Sequence, residues 1–326
     1  MALSIHEIHL HRRTPGMKLI EAAANGRLQI AVKRGGGLGD VLLTTPVLRA
    51  LKEKYPGCEI TFITGKINEP VVKGSPFIDR LVTCSHFYEI LYSPLKGYDY
   101  EFNLIYERYP AMHIIDAYAK IAGVLLSDKT PHLVITEAHE REAERFLKYY
   151  GITPDTLLIG VHRGPTWLCR TWPVQRYIDF AKHMKKKYGA VFVEFSRQKG
   201  FGAGLGIDLT GKTSIRQMAA ILRRCNMLLC IDSFVLHLAS VSATPTVAVF
   251  GCTNPELRLP FNDVSVGLQT KGDCKGCYHR QSRMKTHHSC FRDRVYCMEE
   301  VSAEAAIEAA EGLISNHRDR IMGRRG

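Results

Sequence analysis

Asp40 stands directly after the run Lys33-Arg34-Gly35-Gly36-Gly37-Leu38-Gly39, where an apolar strand gives way to an amphipathic helix. A carboxylate in that place is either the N-cap of the helix or, at the mouth of a cleft, a general base able to take a proton from a substrate hydroxyl. Arg163 and Arg170 flank the loop after a second apolar run, where a guanidinium is either solvated or grips a diphosphate through paired hydrogen bonds. Asp232 and Ser233 open a short helix after a third such run, and His237 lies one turn further on. Asp and Ser are cap types, and His237 is either a packed histidine or one that binds a ligand. Free backbone N–H groups and the positive end of the helix dipole favour an anion at that start, and phosphate is the natural guest. The last group is Cys274-Lys275-Gly276-Cys277 with Cys290 and Cys297. These four cysteines either wrap a tetrahedral zinc or iron, with His279, His287 and His288 in reserve, or form a cysteine-rich loop without metal. Four thiolates leave no open position, so a metal there would be a structural clip.

The elements that must position these groups alternate between strand and helix. Leu28 to Val32 reads as the first strand, and Leu43, Val47, Ala50 and Leu51 mark one face of the helix after the glycines. Strands are expected at Glu59 to Thr64, Arg80 to Val82 and Phe102 to Tyr106, with helices around Ala111 to Leu125 and Glu137 to Tyr150. The turn-rich Tyr150-Gly151-Ile152-Thr153-Pro154 marks a domain boundary, because Leu157 to Val161 starts the alternation again. A helix over Val174 to Lys187, a strand at Ala190 to Phe195, the glycine-rich Gly200 to Gly206 and a helix opened by Ser214 with Gln217 as a capping box follow. Leu228 to Ile231, Val235 to Val241 and Thr246 to Phe250 then read as strand, helix and strand, with Pro245 stopping the helix. A final helix spans Val301 to Ile314 with Ser302 as its cap, and the basic tail from His317 is expected to be loose. This order predicts an α/β protein with two Rossmann-like domains facing across a cleft. The expected division is an N-terminal extension over 1–27, one domain over 28–150, a second over 151–300 with the cysteine-rich loop at 271–298, and a helix with a basic tail over 301–326.

The 326 residues are enough for two full cores, and 45% hydrophobic with 23% charged residues excludes a disordered chain. A formal charge of +12 suits polyanionic partners: nucleic acid, anionic lipid headgroups or phosphorylated sugars. The N-terminus has no long apolar core of the signal-peptide type and no segment is apolar enough to span a bilayer, so the cytoplasm is expected, with peripheral contact at the inner face of the membrane through the basic surface. Cys58, Cys84, Cys169, Cys225, Cys230 and Cys252 read as scattered reduced thiols.

Taken together these residues resemble the heptosyltransferases, a family of glycosyltransferases that add heptose to bacterial lipopolysaccharide cores and to some proteins. Gly37-Leu38-Gly39-Asp40-Val41 with Thr45-Pro46-Val47-Leu48-Arg49-Ala50-Leu51 and Tyr55-Pro56 is similar to the family's N-terminal signature, which implies that Asp40 activates the acceptor hydroxyl and that Gly37 and Gly39 line the acceptor loop. Arg170-Thr171-Trp172-Pro173 resembles the basic-x-Trp-Pro element, which would put Arg170 on the donor diphosphate. Leu209 to Ser214, Asp232-Ser233 with His237-Leu238-Ala239, and Pro245 to Gly251 resemble the donor-binding half, implying donor contacts from Arg163, Thr166, Arg170, Thr213, Asp232, Ser233 and His237. Some relatives are said to bind iron through a loop like that of Cys274, Cys277, Cys290 and Cys297. The chain departs from the pattern at Phe234, where the family has glycine, and in the loop after His162, where Thr166 is the one hydroxyl. The resemblance implies the GT-B architecture, ADP-heptose as donor, inverting transfer without a catalytic cofactor, and a lipopolysaccharide-core type of acceptor. The alternatives are the same chemistry on a protein, metabolite or nucleic acid, or a non-catalytic sugar-nucleotide or nucleic-acid binding protein.

Overall fold

The structure, a computed structural model, describes residues 27–85, 97–164, 167–196, 206–280, 290 and 294–323. Two parallel sheets organise it. In the first, β1 (Gln29–Lys33), β2 (Glu59–Gly65), β3 (Arg80–Cys84) and β4 (Tyr100–Asn103) run in the order β3-β2-β1-β4. Val32 lies in register with Phe62 on one side and Phe102 on the other. In the second, β5 (Leu158–His162), β6 (Val191–Glu194), β7 (Ile207–Asp208), β8 (Met227–Ile231), β9 (Thr246–Phe250) and β10 (Ser265–Gln269) run in the order β10-β9-β8-β5-β6-β7. The earliest strand of each sheet has later strands on both sides, so the chain changes direction at the carboxyl ends of β1 and β5, the place where an open α/β sheet leaves a crevice for a ligand. Asp40 follows β1, and Arg163 and Arg170 follow β5.

Helices cover the faces. Around the first sheet are α1 (Leu38–Leu42), α2 (Thr45–Lys54), α3 (Glu69–Val72) and α4 (Ile114–Ala122), while α5 (Glu137–Tyr149) packs on the helix at Ile215–Arg224, with Glu140 and Glu144 paired to Arg223 and Arg224. Around the second are α6 (Val174–Tyr188), α7 (Ile215–Arg224), α8 (Phe234–Val241), α9 (Tyr296–Glu299), α10 (Ala303–Asn316) and α11 (Arg318–Met322). Local chemistry explains their ends. Ser214 accepts the Gln217 N–H while the Gln217 side chain accepts the Ser214 N–H, closing the expected capping box. Ser302 caps α10 through the Ala305 N–H. Gly123 ends α4 at φ 64° and Gly189 ends α6 at φ 65°, both left-handed turns that glycine enters without strain. Every residue of β5, β8 and β9 is buried, as their unbroken apolar runs require, and each fully buried Val, Leu or Ile contributes roughly 1.5–3 kcal/mol.

Four sequence expectations need correction. The helix after the glycines is two helices, because the chain turns at Leu43–Thr44 ahead of Pro46, and the Thr44 and Thr45 hydroxyls bond back to Val41 and Leu42 carbonyls. The strand expected at Phe102 to Tyr106 runs from Tyr100 to Asn103, and Tyr106 opens a 3₁₀ turn. The tail is not loose as far as 323: Ile321 is fully buried, its carbonyl accepts from Asn226, and α11 extends the fold. Cys169 and Cys252 are not scattered, as described below. The expected N-terminal helix near residues 17–24 and the run 197–205 lie outside the described residues. No helix among the described residues is long and apolar enough to cross a membrane.

Candidate active site

The two crevices face one another where α1 packs on α8. Gly39 makes this contact possible: a Cβ built on it would stand 2.8 Å from His237 Cδ2 and 3.7 Å from the Phe234 Cα. Asp40 is the next residue along α1. It occupies the third position of α1 rather than its cap, and its Oδ2 accepts the Gly37 N–H at 2.9 Å. Its Oδ1 lies 3.5 Å from the guanidinium of Arg34, which forms a bidentate pair with Glu107 (3.1 Å each) and donates to the Leu104 carbonyl. Arg34 is buried between the Tyr106 and Tyr118 rings, 4.9 and 5.5 Å from their centres. The Tyr118 hydroxyl donates to the Asp40 carbonyl. Asp40 is therefore held in both its backbone and its side chain while keeping partial exposure, as a base at a cleft must.

Across the seam, Asp232 is fully buried between the Arg170 guanidinium at 3.5 Å and the Thr253 hydroxyl, which donates at 2.5 Å. Burial opposes its charge, but Arg170, Arg258 and the other neighbours prevail and hold the carboxyl below its usual range. Burial also opposes the charge on Arg170, and Asp232 with the Cys252 sulfur more than offsets it. Arg170 lies over the Trp167 ring at 3.9 Å, which fixes the plane of the guanidinium. His237 is pushed down to about 4 by burial, so at neutral pH it is an uncharged imidazole. Ser233 is the cap residue of α8, but its buried Oγ has no partner among the described residues, and neither has Arg170 Nε. Such orphans at a helix start and beside a cation are what an anionic ligand would satisfy. Phe234, in the place of the expected glycine, packs into the core beside Gly39.

The remaining expected donor contacts are placed differently. Arg163 reaches the buried carboxylate of Glu194 at the end of β6, at 2.9 Å. Thr213 is half-buried ahead of the Ser214 cap and makes no hydrogen bond to the Arg170–Asp232 group among the described residues. Thr166 lies outside the described residues, as do His287 and His288.

The cysteines converge more than their spacing suggests. Cys169 and Cys252 come together, Sγ to Sγ at 3.2 Å, and pack with Cys277. Cys274 and Cys297 are buried close by, and Cys290 is half-buried. Burial pushes Cys277 up to about 11 and Cys297 up to about 12, so both are thiols. Among the described residues no three His, Cys, Asp or Glu side chains are arranged to hold a metal ion. The cysteines pack tightly next to Arg170: Cys169 precedes it, the Tyr278 N–H donates to the Cys252 carbonyl, and a Cβ on Gly251 would collide with the Cys169 carbonyl oxygen and Met298.

Sequence reasoning did not single out Arg34, Tyr106, Arg258 and Thr253. Arg34 stands in the glycine loop and was within reach, but the others belong to segments with no motif of their own. His279, named only as a reserve metal ligand, is partly buried and its Nε2 is buried with no partner among the described residues.

The sequence pattern of glycosyltransferase family 9 (heptosyltransferase) matches residues 115–288, more than half of the chain. The chain belongs to this family. The match takes in Arg170, Asp232 and His237 and begins after Asp40. Lipooligosaccharide heptosyltransferase 2 of Haemophilus influenzae is 21% identical over 173 residues, covering 46% of this chain and 50% of that protein. The chain spans between 32% and 56% of the length of the curated relatives it matches. Among solved structures, a family 9 glycosyltransferase from Veillonella parvula superposes with a TM-score of 0.69 at 21% identity, covering 89% of this chain and 98% of that one. The iron-containing heptosyltransferase TibC of Escherichia coli, in complex with ADP-D-β-D-heptose, superposes with a TM-score of 0.65 at 15% identity, covering 90% of this chain and 77% of that one. These likenesses establish the GT-B arrangement of two parallel sheets.

Proposed function

We propose that this chain is an inverting glycosyltransferase that moves a heptose-type sugar from ADP-heptose to a hydroxyl of a lipopolysaccharide-core acceptor. One observation carries the reading: Gly39, the residue before Asp40, stands against His237 and the Phe234 backbone of α8, the helix that begins beside the buried Arg170–Asp232 pair. Residues 28–150 would hold the acceptor and 151–300 the donor. Asp40 takes the proton of the acceptor hydroxyl as its oxygen attacks the anomeric carbon, and the bond from that carbon to the diphosphate oxygen breaks. The charge arriving on ADP is met by Arg170 and by the Ser233 start of α8, and neutral His237 adds a hydrogen bond. A relative named for lipooligosaccharide transfer and a neighbour crystallised with ADP-heptose support the substrates.

The experiment is a paired one on wild type and Asp40→Asn, reading ADP affinity and transfer from ADP-heptose. The variant should bind ADP as wild type does and lose transfer; wild-type turnover in it removes Asp40 as the base. If the wild type prefers another nucleoside diphosphate, the donor assignment is wrong. In the same reading the cysteine loop clips the floor of the donor site, with zinc or iron on Cys274, Cys277, Cys290 and Cys297 once the loop is loaded, as the iron-containing neighbour suggests. Metal analysis of purified protein tests this: about one equivalent supports the metal clip, and less than a tenth leaves a cysteine loop without metal.

A further inference from the structure

The buried donor side contains a charge that its own partners do not balance. Arg258, after β9, is 5% exposed, and its guanidinium donates to the Leu257 carbonyl at 2.8 Å. Among the described residues no carboxylate forms an ion pair with it. It lies over the Tyr106 ring at 5.0 Å, and Arg34 lies 4.9 Å from the centre of the same ring. Its charge is felt at Asp232, His237 and His279, so it shares one buried region with Arg170. Around Asp232 two guanidinium groups stand against one carboxylate and both imidazoles are neutral, while Asp40 and Glu107, near the same Tyr106 ring, are paired with Arg34. A buried cation without a counter-charge is costly, and three buried polar atoms of the same region, Arg170 Nε, Ser233 Oγ and His279 Nε2, also have no partner.

We propose that Arg258 is a second cation on the leaving diphosphate, completing with Arg170 a two-arginine grip that closes across the seam on the Tyr106 ring. The inference rests on the donor reading above and adds a residue to it. A diphosphate supplies the missing negative charge and enough oxygens for the orphaned donors. A neutral hydroxyl-rich sugar supplies no charge and would leave the imbalance in place. Tyr106 belongs to the first domain, so the grip also couples donor binding to the half that carries Asp40: the ring that orders Arg34 beside Asp40 is the ring on which Arg258 lies.

Calorimetric titration with ADP and with adenosine tests this on wild type, Arg258→Gln, Arg258→Lys and Arg170→Ala. Arg258→Gln should bind ADP at least about thirtyfold more weakly, and Arg258→Lys about three- to tenfold, because lysine keeps the charge and loses the fork geometry. Adenosine affinity should be unchanged in both. ADP affinity within twofold of wild type in either folded variant overturns the proposal, and should the glutamine variant fail to fold the lysine variant decides alone. A wild type that does not bind ADP, or any other nucleoside diphosphate, refutes the donor reading itself. Loss of ADP binding in Arg170→Ala with none in the Arg258 variants refutes only the second cation.

Discussion

Replacing Gly39 with alanine sets two effects against each other. Alanine in place of glycine favours a helix by roughly 1 kcal/mol, and less near the start of a helix as short as Leu38–Leu42. The added methyl, however, would stand 2.8 Å from Cδ2 and 3.6 Å from Nε2 of His237. His237 is buried in α8, and the Phe234 backbone is the next neighbour at 3.7 Å, so neither side can give way cheaply. Overpacking of this kind costs about 1–3 kcal/mol, which outweighs the helix gain. The expected net loss is about 1–2 kcal/mol, a fall in Tm of roughly 2–8 °C. The larger consequence is geometric. A few tenths of an ångström between α1 and α8 move Asp40 relative to the donor side, and turnover should fall by about tenfold or more with little change in ADP affinity. Differential scanning calorimetry with a transfer assay reads both. A Gly39→Ala protein that melts at or above the wild-type temperature and transfers at the wild-type rate would refute the close seam on which the proposed site depends.

Three further expectations follow from the same contacts. Thr253→Val keeps shape but removes the hydroxyl that donates to Asp232, so denaturant unfolding should show a loss of about 1–3 kcal/mol and the donor KM should rise; unchanged values in both would remove Thr253 from the site. Arg34→Gln should lower kcat more than it raises the donor KM, because Asp40 loses its orienting cation; an unaffected kcat in steady-state kinetics contradicts that role. His162, whose Nδ1 meets the Phe195 carbonyl at 2.6 Å, and His237 are each pushed down to about 4 by burial, whereas unfolded histidine titrates near 6.5. Since the folded value is the lower one, their contribution is whole above about pH 6.5 and is lost as pH falls toward 4, up to about 3 kcal/mol for each ring. Urea midpoints from pH 7 to pH 4.5 should decline accordingly and less so in His162→Gln; a flat profile in the wild type would mean the rings are not buried as neutral groups.

The sequence by itself determined the alternation of strands and helices, the capping box at Ser214 and Gln217, the cap at Ser302, and Asp40, Arg170, Asp232, Ser233 and His237 as the residues worth following. Each of these is written in a local pattern: an apolar run buried on both faces, a polar cap type, a glycine turn, or a charged residue directly after a strand. Only the tertiary structure decided that Gly39 meets His237, that Arg34 and Arg258 approach one tyrosine ring, and that Cys169 and Cys252 join the cysteine loop beneath Arg170. It also showed Arg163 engaged with Glu194 and Ile321 buried in what reads as a free tail. The physical reason is common to all of them. Strand order and the seam between two sheets bring together residues far apart in the chain, and side-chain periodicity describes one element's own faces while saying nothing of which other element those faces will meet.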